Sequence, residues 1–220
     1  LTPRPGNAKF KKLTPVDPNS TNPYQLTEAD RTVIGNTTPK FSGGFGLNAT
    51  YKGFDMSMFF NFMYDFDVLN ANKIMLTTWA DNKENNFLMD IASDKRWRNF
   101  DDMGNEIRYS PEVLAEFNKN ATMWNPTSIG RPICMSYAVE DGSFLRLNSA
   151  TLGYTLPSVW TKKVGLSKVR FYVSGNNLFT LTGYSGYDPE VNIATGLTPN
   201  IDYNRYPRSR TYTFGAQLTF

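Results

Sequence analysis

Arg210-Thr-Tyr-Thr-Phe-Gly-Ala-Gln-Leu-Thr-Phe220 is the stretch that decides how the sequence reads. Tyr212, Phe214, Ala216, Leu218 and Phe220 hold one set of alternate positions, and Thr211, Thr213, Gly215, Gln217 and Thr219 hold the other. Apolar and polar positions alternate without an error, which predicts a strand with one greasy and one wet face. A strand at a chain end frays unless something holds it. This one is expected to be held, with its apolar face against an extensive surface.

The same alternation recurs upstream. Phe41, Gly43, Phe45, Leu47, Ala49 and Tyr51 alternate with Ser42, Gly44, Gly46, Asn48, Thr50 and Lys52. Lys52-Gly53 is a tight-turn signal. A second run follows, with Phe54, Met56, Met58, Phe60, Phe62, Tyr64, Phe66 and Val68 on one face. Asp55, Ser57, Phe59, Asn61, Met63, Asp65 and Asp67 lie opposite. The spacing predicts a hairpin of strands over 41–51 and 54–68, the second far longer than the five or six residues usual in a globular sheet. Further strands are predicted over 143–155 and 168–182, and the terminal one over 208–220. Both faces of 143–155 are mixed, so its outward face is left open.

The fold class is therefore all-β, but the alternation admits two solvents. In a soluble β-sandwich the apolar face is core; in a membrane barrel it faces lipid and the polar face lines a wet lumen. Long strands with aromatics near their ends (Phe41, Tyr51, Phe54, Tyr64, Phe66) favour the barrel. A mean hydropathy of -0.44 does not oppose it, because window averages hide alternating strands. The connections add a second argument. They run short (52–53), long (69–142), short (156–167) and long (183–207), after a proline-rich stretch over 1–40. In an antiparallel meander all the long ones fall at one end, as the extracellular loops of outer-membrane barrels do. Only about five strands are counted, whereas membrane barrels start at eight. Leu1 is not a start methionine and no signal peptide follows it. The sequence is expected to be a piece of a longer or processed chain.

The composition removes several chemistries. There is no histidine, which removes His-based acid–base catalysis and His metal ligands. A single cysteine, Cys134, allows no intrachain disulfide. A net charge of +3 with scattered Lys and Arg gives no nucleic-acid stripe. Asp101-Asp102 and Glu140-Asp141 are acid pairs, but adjacent acids on polar loops are ordinarily solvated. No catalytic residue is predicted. Ser110-Pro111-Glu112 signals a short helix to about Asn118 inside the long insertion.

Several segments, in order, resemble the SusC/RagA-type TonB-dependent outer-membrane transporters. They are Asp30-Arg-Thr-Val-Ile-Gly-Asn36, Pro39-Lys-Phe-Ser-Gly-Gly-Phe45, Tyr51-Lys-Gly-Phe-Asp55 and Asp141-Gly-Ser-Phe-Leu-Arg-Leu147. Thr151-Leu-Gly-Tyr-Thr-Leu-Pro157, Val169-Arg170, Gly175-Asn-Asn-Leu-Phe-Thr-Leu-Thr182 and Tyr187-Asp-Pro-Glu190 follow, and the terminal strand completes the set. The resemblance covers residue 30 to the end. It implies the C-terminal antiparallel strands of a 22-stranded transmembrane β-barrel with extracellular loops over 1–40, 69–142 and 183–207. The plug and the TonB-contacting part would lie outside this chain. It further implies TonB-dependent uptake of oligosaccharides or peptides together with a SusD-like surface lipoprotein. The implied location is the cell outer membrane, with the C-terminus on the periplasmic side. Asp17-Pro-Asn-Ser-Thr-Asn22 departs from the acidic Asp-x-Asn-x-Asp-Gly stretch often found there, so no metal is carried over, and no cofactor is expected.

Three groups of residues become candidates. Trp79, Trp97, Trp124, Tyr184, Tyr187, Tyr203 and Tyr206 are loop aromatics suited to stacking on a ligand or against a lid. Asn48, Asp55, Asn61, Asp65 and Asp67 are expected to line the lumen. Tyr212, Phe214, Leu218 and Phe220 would face lipid and make up the barrel-assembly signal, the closing phenylalanine resembling the one that the barrel-assembly machinery reads. The competing reading is a soluble β-sandwich carbohydrate-binding module or adhesin, using the same aromatics without transport.

Overall fold

Five long strands form one antiparallel meander in the order β1-β2-β5-β6-β8. They are β1 (Phe41–Tyr51), β2 (Phe54–Tyr64), β5 (Phe144–Thr155), β6 (Lys168–Thr182) and β8 (Thr211–Thr219). The computed structural model describes residues 4–78, 86–89, 91, 95–129, 133–191 and 199–220. The described residues divide into two units, one of residues 35–69 and 139–220 and the other of 1–34 and 70–138.

The sheet unit begins with the β1–β2 hairpin, whose two-residue turn has φ of 45° at Lys52 and 87° at Gly53. Two left-handed residues make the twist of the turn match that of the strands. The register then lays apolar side chains in rows across the sheet. Leu47, Met58, Ala150, Gly175 and Tyr212 form one row, and Ala49, Met56, Leu152, Val173 and Phe214 the next. A third holds Tyr51, Phe54, Tyr154, Phe171 and Ala216, with the Phe54 and Tyr154 rings 4.4 Å apart.

A fan-shaped bulge explains why both faces of 143–155 look mixed. Between the Met58–Ala150–Gly175 row and the Phe60–Leu147–Phe179 row, β2 has one residue, β5 two and β6 three. The extra residue in β5 shifts its alternation by one. Leu145 and Leu147 therefore share a face with Ala150, Leu152 and Tyr154, not with Ser149, Thr151 and Gly153. The bulge is absorbed in β6 by Asn177, at φ 52°, as bulged strands commonly require.

The second strand stops earlier than its alternation suggests. Asp65 takes a left-handed φ of 60°, which ends β2 at Tyr64. Asp67–Asn70 instead forms β3, flanked by β4 (Val139–Asp141) and β7 (Ile201–Asp202) in a separate three-stranded sheet. Asp65 and Asp67 are thus not wall residues of the long sheet. The Asp67 carboxylate accepts the Asn36 amide at 2.6 Å, while its own amide donates to the Asn36 carbonyl at 2.7 Å. Asp65 pairs with Lys40 beside the start of β1. The unit's buried apolar cluster is made of Phe66, Val68, Phe144, Tyr184 and Val191.

The other unit is loop-rich, with α1 (Ala71–Met75) and α2 (Pro111–Phe117). Ile74, Ile91, Ile107 and Ile129 are buried in it. Asn118 caps α2 and clamps the chain. Its side chain donates to the Arg98 and Leu114 carbonyls, both at 2.9 Å, and accepts the Arg98 amide at 2.7 Å. A second clamp is Asp30, the first residue of the Asp-Arg-Thr-Val-Ile-Gly segment. Its carboxylate accepts the amides of Leu13 and Thr14 at 2.9 and 2.8 Å, and that of Thr27 at 2.8 Å. These donors hold the Asp30 carboxyl well below its usual range, the Thr14 and Thr27 amides foremost.

Candidate functional site

The two faces of the long sheet differ in chemistry and in surroundings. On the apolar face many large side chains are exposed, among them Tyr51 at 70%, Phe171 at 51%, Tyr212 at 60% and Phe214 at 80%, while Leu147 and Val169 are buried. No second sheet covers them among the described residues. A sandwich would bury this face, because contiguous exposed apolar patches beyond a few hundred Å² are rare on soluble monomers.

The opposite face is polar and partly paired with itself. Asn48, Asp55 and Asn61 lie on it, in rows with Ser57, Thr151 and Ser174, with Gly153 and Tyr172, and with Arg146. Asp55 on β2 is joined to Arg170 on β6 by a two-pronged ion pair, Nε to Oδ1 at 2.9 Å and a second shorter contact through Nη2. The pair bridges over β5 because Gly153 stands between them. A Cβ there would fall 2.4 Å from the guanidinium. The Arg170 guanidinium also lies 5.2 Å from the Tyr172 ring centre. The Asn61 side-chain oxygen is buried without a hydrogen-bond partner.

Near the long-loop end a buried cation holds Asp188 and Glu190 of the 183–207 connection. Arg146 is 2% exposed, and its Nη2 donates to Asp188 at 2.5 Å and lies 3.8 Å from Glu190. Asp188 also accepts the Glu190 amide, and Glu190 accepts from Arg208 at 2.7 Å. Burial pushes the Asp188 carboxyl upward, but Arg146 and the Glu190 and Arg208 amides outweigh it and hold the group below its usual range. The acids of the Tyr-Asp-Pro-Glu segment thus serve as a latch between loop and wall.

The loop aromatics separate into packed and open sets. Tyr184 is 6% exposed, and its hydroxyl donates to Asp202 at 2.7 Å. Burial first, then Asp202 and Glu140, push its pKa far up, so it remains a donor. Trp97 packs on the Gly6 backbone, and Trp124 meets the Tyr137 ring edge-on at 5.0 Å. Tyr187, Tyr203 and Tyr206 are 85%, 52% and 86% exposed. Trp79 lies outside the described residues.

The acid pairs are engaged locally. Asp101 accepts the Met103 and Asn105 amides and the Asn105 side chain, which, with that side chain leading, keep its carboxyl below the usual range. Asp102 pairs with Arg98, Glu140 accepts from the Ser185 amide and hydroxyl, and Asp141 accepts from Ser143. Asp17 accepts the Asn19 amide in a local turn.

The chain is similar in sequence and in fold to known proteins. TonB-dependent receptor P3 of Formosa agariphila is 35% identical over 202 residues, covering 89% of this chain and 18% of that receptor. The chain belongs to the SusC/RagA-type TonB-dependent receptors. SusC of Bacteroides thetaiotaomicron is 38% identical over 88 residues, 38% of this chain and 8% of SusC. The solved RagAB peptide transporter aligns with a TM-score of 0.68 at 26% identity, covering 89% of this receptor chain and 19% of that chain. No protein-family profile matches. The chain spans 18% and 17% of the lengths of the TonB-dependent receptors P3 and P39 of Formosa agariphila. TonB-dependent receptors are transporters, not enzymes, in agreement with the lack of a predicted catalytic residue.

Proposed function

We propose that this receptor chain forms part of the wall and extracellular loops of an outer-membrane nutrient importer. The importer takes up oligosaccharides or peptides, is driven through TonB, and works with a SusD-like surface lipoprotein. The observation that carries the reading is the uncovered apolar face, aligned in register across five strands and backed by a polar, ion-paired face. Lipid is the solvent that suits the first face and a wet lumen the second. Backbone groups on an open sheet edge in lipid cost several kcal/mol each. The outer edges of β1 and β8 therefore pair with further strands of a large barrel, which the family resemblance puts at 22 strands. These five are its C-terminal ones.

Lys52-Gly53, residues 156–167 and the C-terminus lie at the periplasmic end in this reading, and the long connections open outward. Asn48, Asp55 and Asn61 line the lumen. Tyr187, Tyr203 and Tyr206 are the aromatics free to meet ligand or lid. Tyr212, Phe214 and Leu218 face lipid, and Phe220 is read by the barrel-assembly machinery.

Fractionation of cells expressing the full receptor tests the reading. The receptor is expected in the outer membrane, extracted only by detergent, and its deletion abolishes accumulation of its nutrient. Recovery from the aqueous fraction would instead support a soluble binding module. Phe220→Ala is expected to lower the amount in outer-membrane fractions without changing transport per molecule. Unchanged abundance removes that role for Phe220.

A further inference from the structure

We propose that the loop-rich unit holds a binding site for an anionic oligosaccharide bearing uronate or sulfate groups. A cavity of about 730 Å³ opens between the segment 4–12, Tyr24, Leu26 and Ser128–Ile129. That volume falls within the ~300–1,000 Å³ of ordinary ligand sites. Arg4, Lys9, Lys11 and Lys12 line it, and none of the described lining residues is acidic. Lys12 is already committed, donating to the Thr14 hydroxyl at 2.8 Å and the Gln25 carbonyl at 3.0 Å beside Asp30. It fixes the wall. Arg4, Lys9 and Lys11 form no ion pair with a described acid. Three cations gathered on one concave surface repel one another, and an anion entering the cavity relieves that repulsion.

The rest of the lining favours a sugar. Phe10 and Tyr24 are in the lining, and aromatic rings suit stacking against the flat face of a pyranose. The Ser128 hydroxyl is buried in the wall with no hydrogen-bond partner. A buried hydroxyl left unsatisfied is unfavourable, and ligand entry that opens the wall at Ser128 lets a sugar hydroxyl pair with it. An extended acidic peptide would want a strand edge to pair with, and no described lining residue belongs to a strand.

The site names a substrate class for the import reading and rests on that reading for its purpose, but binding is measurable without transport. Titration calorimetry on the full receptor in detergent, at low and at moderate salt, tests it. The probes are a galacturonate hexasaccharide, a chondroitin sulfate hexasaccharide, neutral maltohexaose and a hexaglutamate peptide. At least one anionic sugar is expected to bind, and more weakly as salt rises. The uronate and sulfate arms tell which anion is preferred. K9E/K11E is expected to weaken that binding at least tenfold, and K9R/K11R to retain it. An unchanged melting curve for K9E/K11E shows that the fold persists. Failure of both anionic sugars, equal binding of maltohexaose or hexaglutamate, or normal binding by K9E/K11E overturns the proposal. A receptor that binds the anionic sugar but never imports it removes the import reading and leaves this site standing.

Discussion

Phe66, Val68, Phe144, Tyr184 and Val191 are buried together at the long-loop end of the sheet unit, whereas Leu47, Phe171, Phe214 and Leu218 on the sheet itself lie open. Both groups are apolar, and they belong to the same unit. The first is closed off by the chain's own loops, with Tyr184 anchored by its hydroxyl on Asp202. The second has no protein cover among the described residues. Leaving one large apolar side chain in water forgoes about 1.5–3 kcal/mol. Repeated over rows of aromatic and aliphatic residues, that loss would be untenable in a soluble domain. Under the proposed function, the difference means that this chain uses two apolar environments: its own core where loops fold back, and lipid along the strands.

The largest expected effect comes from breaking the first environment. Arg146 is the buried cation that ties Asp188 and Glu190 to the wall. Removing one partner of a buried pair costs about 3–5 kcal/mol. Arg146→Ala is therefore expected to lower the unfolding temperature of the full receptor in detergent. It should also loosen the segment around Arg205 and Arg208, both already exposed, and so speed trypsin cleavage there. A cleavage rate equal to the wild type's would mean that the latch is not what closes the end cluster.

The second environment is tested by neighbours that differ only in face. Met58 lies in the Leu47–Ala150 row, and Ser57 faces the other way beside Thr151. A lysine on the lipid side of a barrel costs about 2–4 kcal/mol near mid-membrane. Met58→Lys is expected to impair folding into lipid bilayers by that amount, read as loss of the compact, heat-modifiable band on gels. Ser57→Lys should fold almost as well as wild type. Equal impairment by both would erase the distinction between the faces.

Much of this was legible because strands write their faces at period 2. The rows from Phe41 to Tyr64 and from Tyr212 to Leu218 can be read directly from the residues. The outward face of 143–155 could not be read, because a bulge adds one residue and inverts the alternation midway. The break at Asp65 was hidden for a different reason. Phe66 and Val68 continue the apolar pattern of β2, yet they belong to a buried cluster, and Val68 to a different sheet. Period alone cannot separate one long strand from two short ones when both put apolar residues at the same parity. Among the aromatics, Tyr184 carries no sequence mark that sets it apart from Tyr187. What distinguishes it is a partner, Asp202, eighteen residues away. The Tyr-Asp-Pro-Glu segment could be matched to a family, but not its role. The basic cavity lined by Lys9, Lys11 and Ser128 was missed because its walls are far apart in sequence. The run Lys9-Phe-Lys-Lys12 was the signal available.

The smallest expected effect concerns acid, and it separates apolar strand contacts from loops held by charge. The apolar rows of the sheet contain no titrating carboxylate, so their packing is expected to be flat with pH. Asp30, by contrast, closes the loop from Lys12 to Thr27 through its ionised carboxylate, which is only 3% exposed. Its folded pKa lies below the unfolded value of about 3.9. A depressed carboxyl contributes stability that is fully present above the unfolded pKa and lost as pH falls below it. Hydrogen exchange of the Leu13, Thr14 and Thr27 amides in the full receptor, corrected for intrinsic rates, is expected to show steady protection from neutral pH to about 5. Below about 4 that protection should decline. Asp30→Asn should give lower protection throughout and remove the acid dependence, because the amide accepts more weakly and does not titrate. If the Asp30→Asn profile declines in acid as the wild type's does, another carboxylate closes this loop.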